Sequence, residues 1–489
     1  MGAPPAAGAS LPELSSAGGM RLADVVAVAV RQSPDLARAR IDLATARAQL
    51  LAAQGSEDTH VGLRAAGAWQ ANPDTDPYGK YSASDLRLDA SARRALSTGG
   101  TLSVTLTGER VHTVGTEPAL NGALVDVSGP HRYQTSLVFE LIQPLLRGAG
   151  SDAFEAPIHQ AARQRDAAAL AQEARARDLV VSLAQAYWQV AFAWRQLEVR
   201  KASLELAQKQ LDYTEGAIRV EKIARSEALA VQQVIAVRRQ DVIAGEQELY
   251  DRSIALRQLA GLEIGPDALE LLTEGLPVKI DAPPIDLRSV VREAFAHSAE
   301  LAGLEATRHA AEIGVAAADS AARSRLDLDV SGGPIGVDTT LGKATGDITS
   351  DTGYQVNAAL TFDHAIEHRA ERGGQQAAHA VLFAAEVAER DARARLATRA
   401  VRAVQRAQAA LASIALGDEA IGLAEQNITA EQKRFELGKS TNFDVLRRQD
   451  ELGQARLRHA SSVADYLTAR ADLDGLSGAI LARYGIVMP

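Results

Sequence analysis

The sequence contains a two-fold internal repeat, and this feature constrains the possible folds most strongly. Matched residues of the segment 22–36 reappear in 287–301, 265 positions later. Matched residues of 206–261 reappear in 423–478, only 217 positions later. Because the two offsets differ by 48 residues (265 minus 217), the first copy carries an insertion between its matched blocks. The chain of 489 residues is therefore a duplication with an insertion midway through its first half.

Each half is predicted to contain a helical block, a block of strands and a second, very long helical block. The long blocks are rich in Ala, Leu, Arg and Glu, and each has one clear interruption, near 214–226 and 436–442. About 70 helical residues span on the order of 100 Å at ~1.5 Å per residue, which is too long for a compact globule. We therefore expect a coiled coil, a rod or the wall of a tube.

The predicted segments, in chain order, are a flexible N-terminal segment (1–20), the opening helix (21–55), the strands with their loops (56–147) and the long helical hairpin (148–265) of the first repeat, a linker (266–285), the opening helix (286–324), the strands (325–364) and the long helical hairpin (365–480) of the second repeat, and a C-terminal tail (481–489).

The strand blocks alternate apolar and polar residues with a period of two, which is typical of strands that are wetted on one face. Four to six such strands offer too few apolar residues for a sandwich core. They suit a water-filled membrane barrel shared by several subunits, because a barrel must close to have no edge. The residues expected to face lipid are Leu102, Val104, Leu106, Leu137, Phe139, Leu141, Leu360 and Phe362. The aromatic residues available for the membrane interfaces are Trp69, Tyr78, Tyr81, Tyr133 and Tyr354.

Composition and charge exclude several classes of function. The chain has 62 acidic and 52 basic residues, a formal net charge of −10, which argues against a nucleic-acid-binding protein. It has no cysteine, so disulfides, cysteine nucleophiles and thiolate metal sites are excluded. No segment reaches the roughly 18–20 apolar residues of a membrane helix. The segment 1–19 has neither a basic nor an apolar region, so we expect no intact signal peptide in it.

One motif suggests an enzyme, and we discount it. His364, Glu367 and His368 fit the H-x-x-E-H pattern of a metalloprotease. They lie where the second strand block returns to a helix, and a third ligand would have to come from elsewhere, so solvated or lumen-facing histidines are the better interpretation. The sequence predicts no catalytic site, no metal site and no cofactor.

Four segments resemble the TolC-like outer-membrane efflux proteins. Residues 434–446 resemble the family's Arg-aromatic-x-x-Gly turn followed by Asp-Val-Leu, and 143–148 resemble its exit from the membrane strands into a long helix. Residues 184–188 are similar to its early-helix pattern, and 33–36 are similar to its helix start. Each motif alone is weak, but their order within a duplicated helix–strand–helix plan is specific. The resemblance covers the chain from about Arg21 to Gly478.

The resemblance implies a mainly α-helical fold with a membrane β-barrel part. In it, duplicated long helical hairpins form a trimeric α-barrel tunnel, continuous with a shared 12-stranded β-barrel to which each subunit gives four strands. The segments 85–95 and 101–110 exceed that number, and we expect them to form an extracellular hairpin. The protein would be a homotrimeric exit duct, not an enzyme, in the bacterial outer membrane and extending into the periplasm. Its partners would be the lipid bilayer, a periplasmic adaptor and an inner-membrane pump, with no nucleic acid.

The turn between the two long helices of the second half has a local explanation. Gly438 suits the left-handed position that ends a helix, Thr441 suits the N-cap of the next helix, and Asp444 then stands at its third position. The resemblance implies that this turn lies at the periplasmic tip and that Asp444, with its repeat mate Glu227, narrows the pore. Arg447 stands where the family often has a second acid, which suggests a gate in which it pairs with Asp444.

Simpler interpretations of the same turns remain open. In the simplest, Asp444 and Glu227 only cap their helices and face outward. The candidates for adaptor docking at the tip turn are Arg434, Phe435, Gly438, Ser440 and Thr441, and a merely structural turn is the alternative. For the whole chain, the alternative function is a soluble coiled-coil scaffold with a small cap sheet. The strands discriminate between the two, because their apolar residues face lipid in a channel and a dry core in a scaffold.

Overall fold

The computed structural model describes residues 19–72, 81–118, 120, 123–220, 224–262, 273–280, 282–350 and 353–486. These residues confirm a mainly helical chain with an antiparallel sheet. The chain divides into two compact units. The helical unit lies within Met1–Leu43, Ala168–Gly303 and Glu389–Pro489, and the sheet unit lies within Ala44–Ala167 and Leu304–Ala388.

The helices repeat the duplication that the sequence shows. The first long helix and its counterpart end at Arg219 and Glu436, and the helices that follow them begin at Arg225 and Asn442. Both pairs of positions are separated by the same offset as the second repeat block. The helices are α1 (Leu22–Gln32), α2 (Pro34–Gln54), α3 (Ser151–Arg219), α4 (Arg225–Ala260), α5 (Leu287–Ala296), α6 (Ala299–Ala321), α7 (Leu341–Asp347), α8 (Arg369–Glu436), α9 (Asn442–Leu476) and α10 (Ala479–Arg483).

Each opening helical block is two helices rather than one. Ser33 separates α1 from α2 with an extended backbone (φ −60°, ψ 124°), because the proline that follows disfavours a helical conformation there. In the second half, Asp286 caps α5 by accepting from two backbone amides. Ser298 then accepts a hydrogen bond from the Leu301 amide at 3.1 Å, at the start of α6. The breaks therefore have local causes in both copies.

A buried tyrosine ties two connecting segments to α3. Tyr187, within the early-helix motif, is almost fully buried. Its hydroxyl donates to the Met20 carbonyl at 2.8 Å and accepts from the Glu274 amide at 3.1 Å. Burial raises the pKa of the Tyr187 hydroxyl, so the hydroxyl stays protonated and able to donate. The same core joins α1, α3, α4 and α10. Among the described residues, no helix has an apolar stretch long enough to cross a bilayer.

The described strands form one antiparallel sheet in the order β1-β2-β3-β5-β6-β7, with β4 paired to β3. Strands β1 and β6 begin at His60 and Arg325, which correspond at the offset of the first repeat block, so β2, β3 and β4 lie within the insertion of the first copy. The strands are β1 (His60–Asn72), β2 (Tyr81–Ala95), β3 (Thr101–Pro118), β4 (Leu124–Ser128), β5 (Arg132–Pro144), β6 (Arg325–Asp338) and β7 (Tyr354–Asp363).

The prediction of four sheet strands with a separate hairpin is wrong. The segments 85–95 and 101–110 lie in β2 and β3, which stand between β1 and β5 in the sheet. All 13 residues of β1 pair with β2, and β3 pairs with β5 from Thr101 to Val111. Sequence alternation predicts a strand but does not identify the strands that pair with it. It therefore could not show that the inserted strands separate β1 from β5.

Candidate functional site

The turn between α8 and α9 is a Schellman motif. Gly438 has a φ of +70°, the left-handed conformation that glycine adopts without steric cost. The Gly438 amide donates to the Phe435 carbonyl at 2.9 Å, and the Lys439 amide donates to the Arg434 carbonyl at 2.8 Å. This confirms that Gly438 ends the helix. The helical tip is defined here as this turn (434–447) together with the neighbouring ends of α3 and α4 (210–220 and 224–227).

Thr441 and Asp444 form a capping box at the start of α9, as predicted. The Asp444 amide donates to Thr441 Oγ1 at 3.3 Å, and Asp444 Oδ2 accepts from the Thr441 amide at 3.2 Å. The Thr441 hydroxyl also donates to Asp444 Oδ2 at 2.7 Å. Hydrogen bonds from Thr441 to the carboxylate hold the pKa of Asp444 below its ordinary value of 3.8. Ser440 donates to Glu431 at 2.5 Å and so ties the turn to the last part of α8.

Arg447 pairs with Glu451 and not with Asp444, so the predicted pairing is wrong. Its Nε lies 3.3 Å from Glu451 Oε1, one turn along α9. The Asp444 carboxylate is turned back toward Thr441 by the capping box. Because residues four apart in a helix are neighbours, Glu451 is the acid that Arg447 reaches. Arg448 contacts the same carboxylate at 2.7 Å.

The start of α4 lacks the capping box found at the start of α9. The N-cap of α4 is Ala224, which has no side-chain group to close a capping box. Glu227 stands where Asp444 stands in the second copy, but its carboxylate accepts from Asn442 Nδ2 at 3.4 Å. Glu227 therefore contacts the other tip turn rather than capping its own helix.

Sequence reasoning named Glu227 but missed the other polar residues that join the two turns. We call Gln210, Thr214, Glu227 and Asn442 the tip polar cluster. Asn442 is 2% exposed and Thr214 is fully buried. Asn442 Oδ1 accepts from Gln210 Nε2 at 2.6 Å and lies 3.0 Å from Thr214 Oγ1. The cluster links α3, α4 and the first residue of α9 at a buried position, where an unpaired polar group is costly.

A periodic signal in the sequence points to Asn442. The buried residues at the start of α9 recur at helical spacing, and two of them are polar where an apolar residue is the norm. These residues are Asn442, Val445, Leu446, Gln449 and Leu452. A polar residue within an apolar stripe needs a partner in the fold, and here the partners come from helices in the other half of the chain.

The remaining tip residues are mostly exposed. The Arg434 side chain is 68% exposed and lies 3.8 Å from Glu431. Phe435 contacts Tyr213 of α3, with ring centroids 5.3 Å apart. Two large apolar side chains of the turn, Leu437 and Phe443, are about 70% exposed. The tip thus presents a basic residue and apolar surface to its surroundings.

The sheet presents one apolar face that runs across its six long strands. Directly paired residues of antiparallel strands lie on the same face. Following the register from β1 to β7 places the eight residues predicted to face lipid on this face together with Val61, Leu63, Leu88 and Val330. Several are strongly exposed, including Leu63 at 76% and Phe362 at 64%. A continuous apolar surface of this kind needs a partner that removes it from water.

The opposite face of the sheet is polar and hydrogen-bonded. The Thr107 hydroxyl donates to Asp89 Oδ1 at 2.7 Å, and Arg87 Nε donates to the same oxygen at 2.8 Å. Ser103 donates to Glu140 at 2.9 Å between β3 and β5. The two faces therefore differ in the way expected of strands between water and a nonpolar phase.

Three of the five candidate interface aromatics share the apolar face. The strand register places Trp69, Tyr133 and Tyr354 on it, and Trp69 and Tyr354 are strongly exposed. Tyr78 lies outside the described residues, and of Tyr81 only the backbone is described.

The two histidines of the discounted motif lie together between β7 and α8. His364 Nε2 and His368 Nε2 are 3.1 Å apart, and the Ser324 hydroxyl lies 2.8 Å from His364 Nδ1. Within the part of the chain that the structure describes, no group of three potential metal-binding side chains is found.

Replacing the N-cap hydroxyl is expected to weaken the start of α9. Thr441→Ala removes the acceptor for the Asp444 amide, and loss of such a cap costs about 1 kcal/mol. Hydrogen exchange of the first turn of α9 should rise by roughly fivefold or more. Thr441→Ser keeps the hydroxyl and is the matched control, which should exchange like the wild type. Equal exchange in the alanine and serine variants would contradict the capping role.

The same turn is expected to lose stability in acid. The pKa of Asp444 is lowered in the folded protein, so its bonds stabilise the turn at pH values above its ordinary pKa of 3.8. This contribution is lost as the pH falls through the lowered folded value. Hydrogen exchange of 441–447, corrected for the intrinsic pH dependence of exchange, should therefore rise below about pH 4. Asp444→Asn should flatten this response, whereas Glu436→Gln in the same turn should leave it intact.

The sequence matches no known family model. No curated protein matches it either.

Solved structures of outer-membrane proteins match the fold over nearly the whole chain. The outer-membrane channel OprN is 15% identical, with a TM-score of 0.68 over 94% of this chain and 90% of OprN. The outer membrane protein VceC of Vibrio cholerae is 17% identical, with a TM-score of 0.65 over 94% of this chain and 96% of VceC. The MtrE outer-membrane channel of Neisseria gonorrhoeae, solved in its open state, is 17% identical, with a TM-score of 0.59 over 95% of this chain and 90% of MtrE. The chain therefore has the fold of these outer-membrane proteins, as its resemblance to the TolC-like proteins predicts.

Proposed function

We propose that this protein is a TolC-like outer-membrane channel, the exit duct of a tripartite efflux or type I secretion system. It acts as a homotrimer whose sheets form one membrane barrel and whose helices form a periplasmic tunnel. A periplasmic adaptor and an inner-membrane pump are its partners. The duct performs no chemistry, so the pump selects the substrate.

The apolar face of the sheet is the observation that carries this proposal. It spans β1 to β7, and residues such as Leu63 and Phe362 are mostly exposed. A lipid bilayer removes such a face from water, while the polar face, with Asp89 and Glu140, lines an aqueous lumen. A soluble scaffold would have to cover the same face with a core, and most of the large apolar side chains on this face are exposed in the chain.

The helical tip is the proposed site of gating and adaptor docking. Arg434, Phe435, Gly438, Ser440 and Thr441 form the turn that the adaptor would contact. Support comes from the hydrogen bonds that fix the turn and from its exposed apolar side chains. A preformed turn offers a partner a binding surface without a large loss of conformational entropy.

Asp444, Glu227 and Arg447 are the proposed residues of the pore constriction. Asp444 and Glu227 occupy matching positions in the first turns of α9 and α4, and Arg447 is exposed on the next turn of α9. Three copies of these charges around one axis would set the ion preference of the pore. Arg447→Glu is the direct test, because it should shift the channel's preference toward cations without disturbing the capping box.

The first experiment is the mass of the detergent-extracted protein, expressed behind a signal peptide and measured by size exclusion with light scattering. The proposal predicts a trimer that needs detergent to stay in solution and conducts ions in a planar bilayer. A protein that is soluble without detergent as a monomer or dimer would contradict it. That outcome would favour the coiled-coil scaffold instead.

A further inference from the structure

We propose that the barrel of this protein contains 18 strands, formed by pairing β7 of each subunit with β1 of the next. This inference rests on the proposed trimer and adds the number of strands and the strands that form the subunit interface. It follows from three features of the sheet, which are the full pairing of the inserted strands, the direction of the edge strands and the apolar surface that reaches both edges.

The inserted strands β2 and β3 are complete members of the sheet. β2 pairs with all of β1 on one side and with β3 from Ser82 to Ala95 on the other. β3 then pairs with β5 over residues 101–111. Leu88 and Leu106 continue the apolar face through these strands, and Asp89 and Thr107 continue the polar face. A hairpin that projected from the barrel would not need this alternation in register with both neighbours.

The two edges of the sheet are complementary in direction. The path from β1 to β7 contains six strands, each antiparallel to the next. With an even number of strands, the first and last run in opposite directions. β7 of one subunit can therefore add to β1 of a second copy as one more antiparallel pair, and the pattern repeats around a ring.

A second copy of this chain is the pairing partner that the two open edges of the sheet require. The apolar face reaches both of them, with Val61 and Leu63 on β1 and Leu360 and Phe362 on β7. In lipid, each unpaired backbone group of an open edge costs several kcal/mol, so the sheet has to close. Six strands are fewer than the eight of the smallest membrane barrels, so the sheet of one chain cannot close on itself.

The extra strands would widen the pore. Barrel diameter grows roughly linearly with strand number, so 18 strands give a barrel about 1.5 times as wide as 12 strands. Barrels of about 16–18 strands enclose an aqueous channel. The membrane part of this duct would then restrict passage less than a 12-stranded barrel does.

Cysteine cross-linking tests the strand order directly, because the natural chain has no cysteine. Double variants combine Val61→Cys, Leu63→Cys or Ala65→Cys on β1 with Val356→Cys, Ala358→Cys or Leu360→Cys on β7, all on the apolar face. We expect disulfide-linked trimers on a denaturing gel. In an antiparallel pair, a residue one position later on one strand lies opposite a residue one position earlier on the other. The two residue numbers of every productive cysteine pair should therefore add up to the same value. Leu63→Cys/Ala90→Cys joins direct partners within one chain and is the control that cross-links without a change in mass.

The alternative arrangement has its own cross-link. If β2 and β3 lie outside the barrel, β1 neighbours β5, and Leu63→Cys combined with Leu137→Cys, Phe139→Cys or Leu141→Cys will cross-link within one chain. That result, or a trimer without β1–β7 cross-links, would overturn the 18-stranded barrel and leave the proposed channel standing. A protein that is not a trimer by light scattering would remove the proposed function itself. Electron microscopy of the unmodified trimer gives an independent count, 18 strands against 12.

Discussion

Leu106→Arg is expected to abolish the membrane-inserted trimer, whereas Thr105→Arg is expected to be tolerated. Leu106 lies on the apolar face, between Ala90 of β2 and Leu137 of β5, and is 45% exposed. An arginine on the lipid face of a barrel costs about 2–4 kcal/mol near the middle of the bilayer. Each of three subunits carries that cost, so the yield of trimer in outer-membrane fractions should fall more than tenfold, since about 1.4 kcal/mol is a factor of about ten.

Thr105 is the matched control because it is the neighbouring residue of the same strand on the opposite face. An arginine there would enter the polar face that already contains Arg87 and Glu140. The yield should stay within about twofold of the wild type, because a solvated surface charge changes stability little. If both variants assemble equally well, the apolar face does not meet lipid. If Thr105→Arg fails and Leu106→Arg assembles, the two faces are assigned the wrong way round.

Asn442→Leu is expected to separate the two turns of the helical tip. The change removes the acceptor for Gln210 and the donor to Glu227, and it places an apolar side chain at a buried position among these polar groups. A buried polar group left unsatisfied costs about 1–3 kcal/mol. Hydrogen exchange of 210–219 and 442–449 should therefore rise about tenfold or more. In planar bilayers, the variant channel should open more often, because the two turns no longer hold each other.

Phe443→Leu is the control for this experiment. Phe443 follows Asn442 in the chain but is 70% exposed and lies outside the cluster. The Phe443→Leu substitution should leave hydrogen exchange at both turns and the opening of the channel unchanged. Equal effects of the two substitutions would mean that the tip tolerates no change at all, and would refute a specific role for the cluster. An Asn442 variant with raised exchange but normal gating would limit the cluster to stability.

The features that the sequence predicts correctly are those with a local or periodic cause. Helical composition marks α3 and α8, and alternation with a period of two marks the strands, because side-chain direction repeats with a fixed period in each. The turn chemistry of Gly438, Thr441 and Asp444 depends only on residues within one or two helical turns. The offset of the second repeat block also relates the end of α3 to the end of α8 in the sequence.

The features that only the tertiary structure decided depend on partners far away in the chain. The place of β2 and β3 between β1 and β5 follows from strand pairing, and a period of two is equally satisfied by many pairings. The partners of Asn442 lie on α3 and α4, in the first half of the chain. Local chemistry therefore determined the elements and their ends, and non-local packing decided how many strands stand side by side and which polar groups meet.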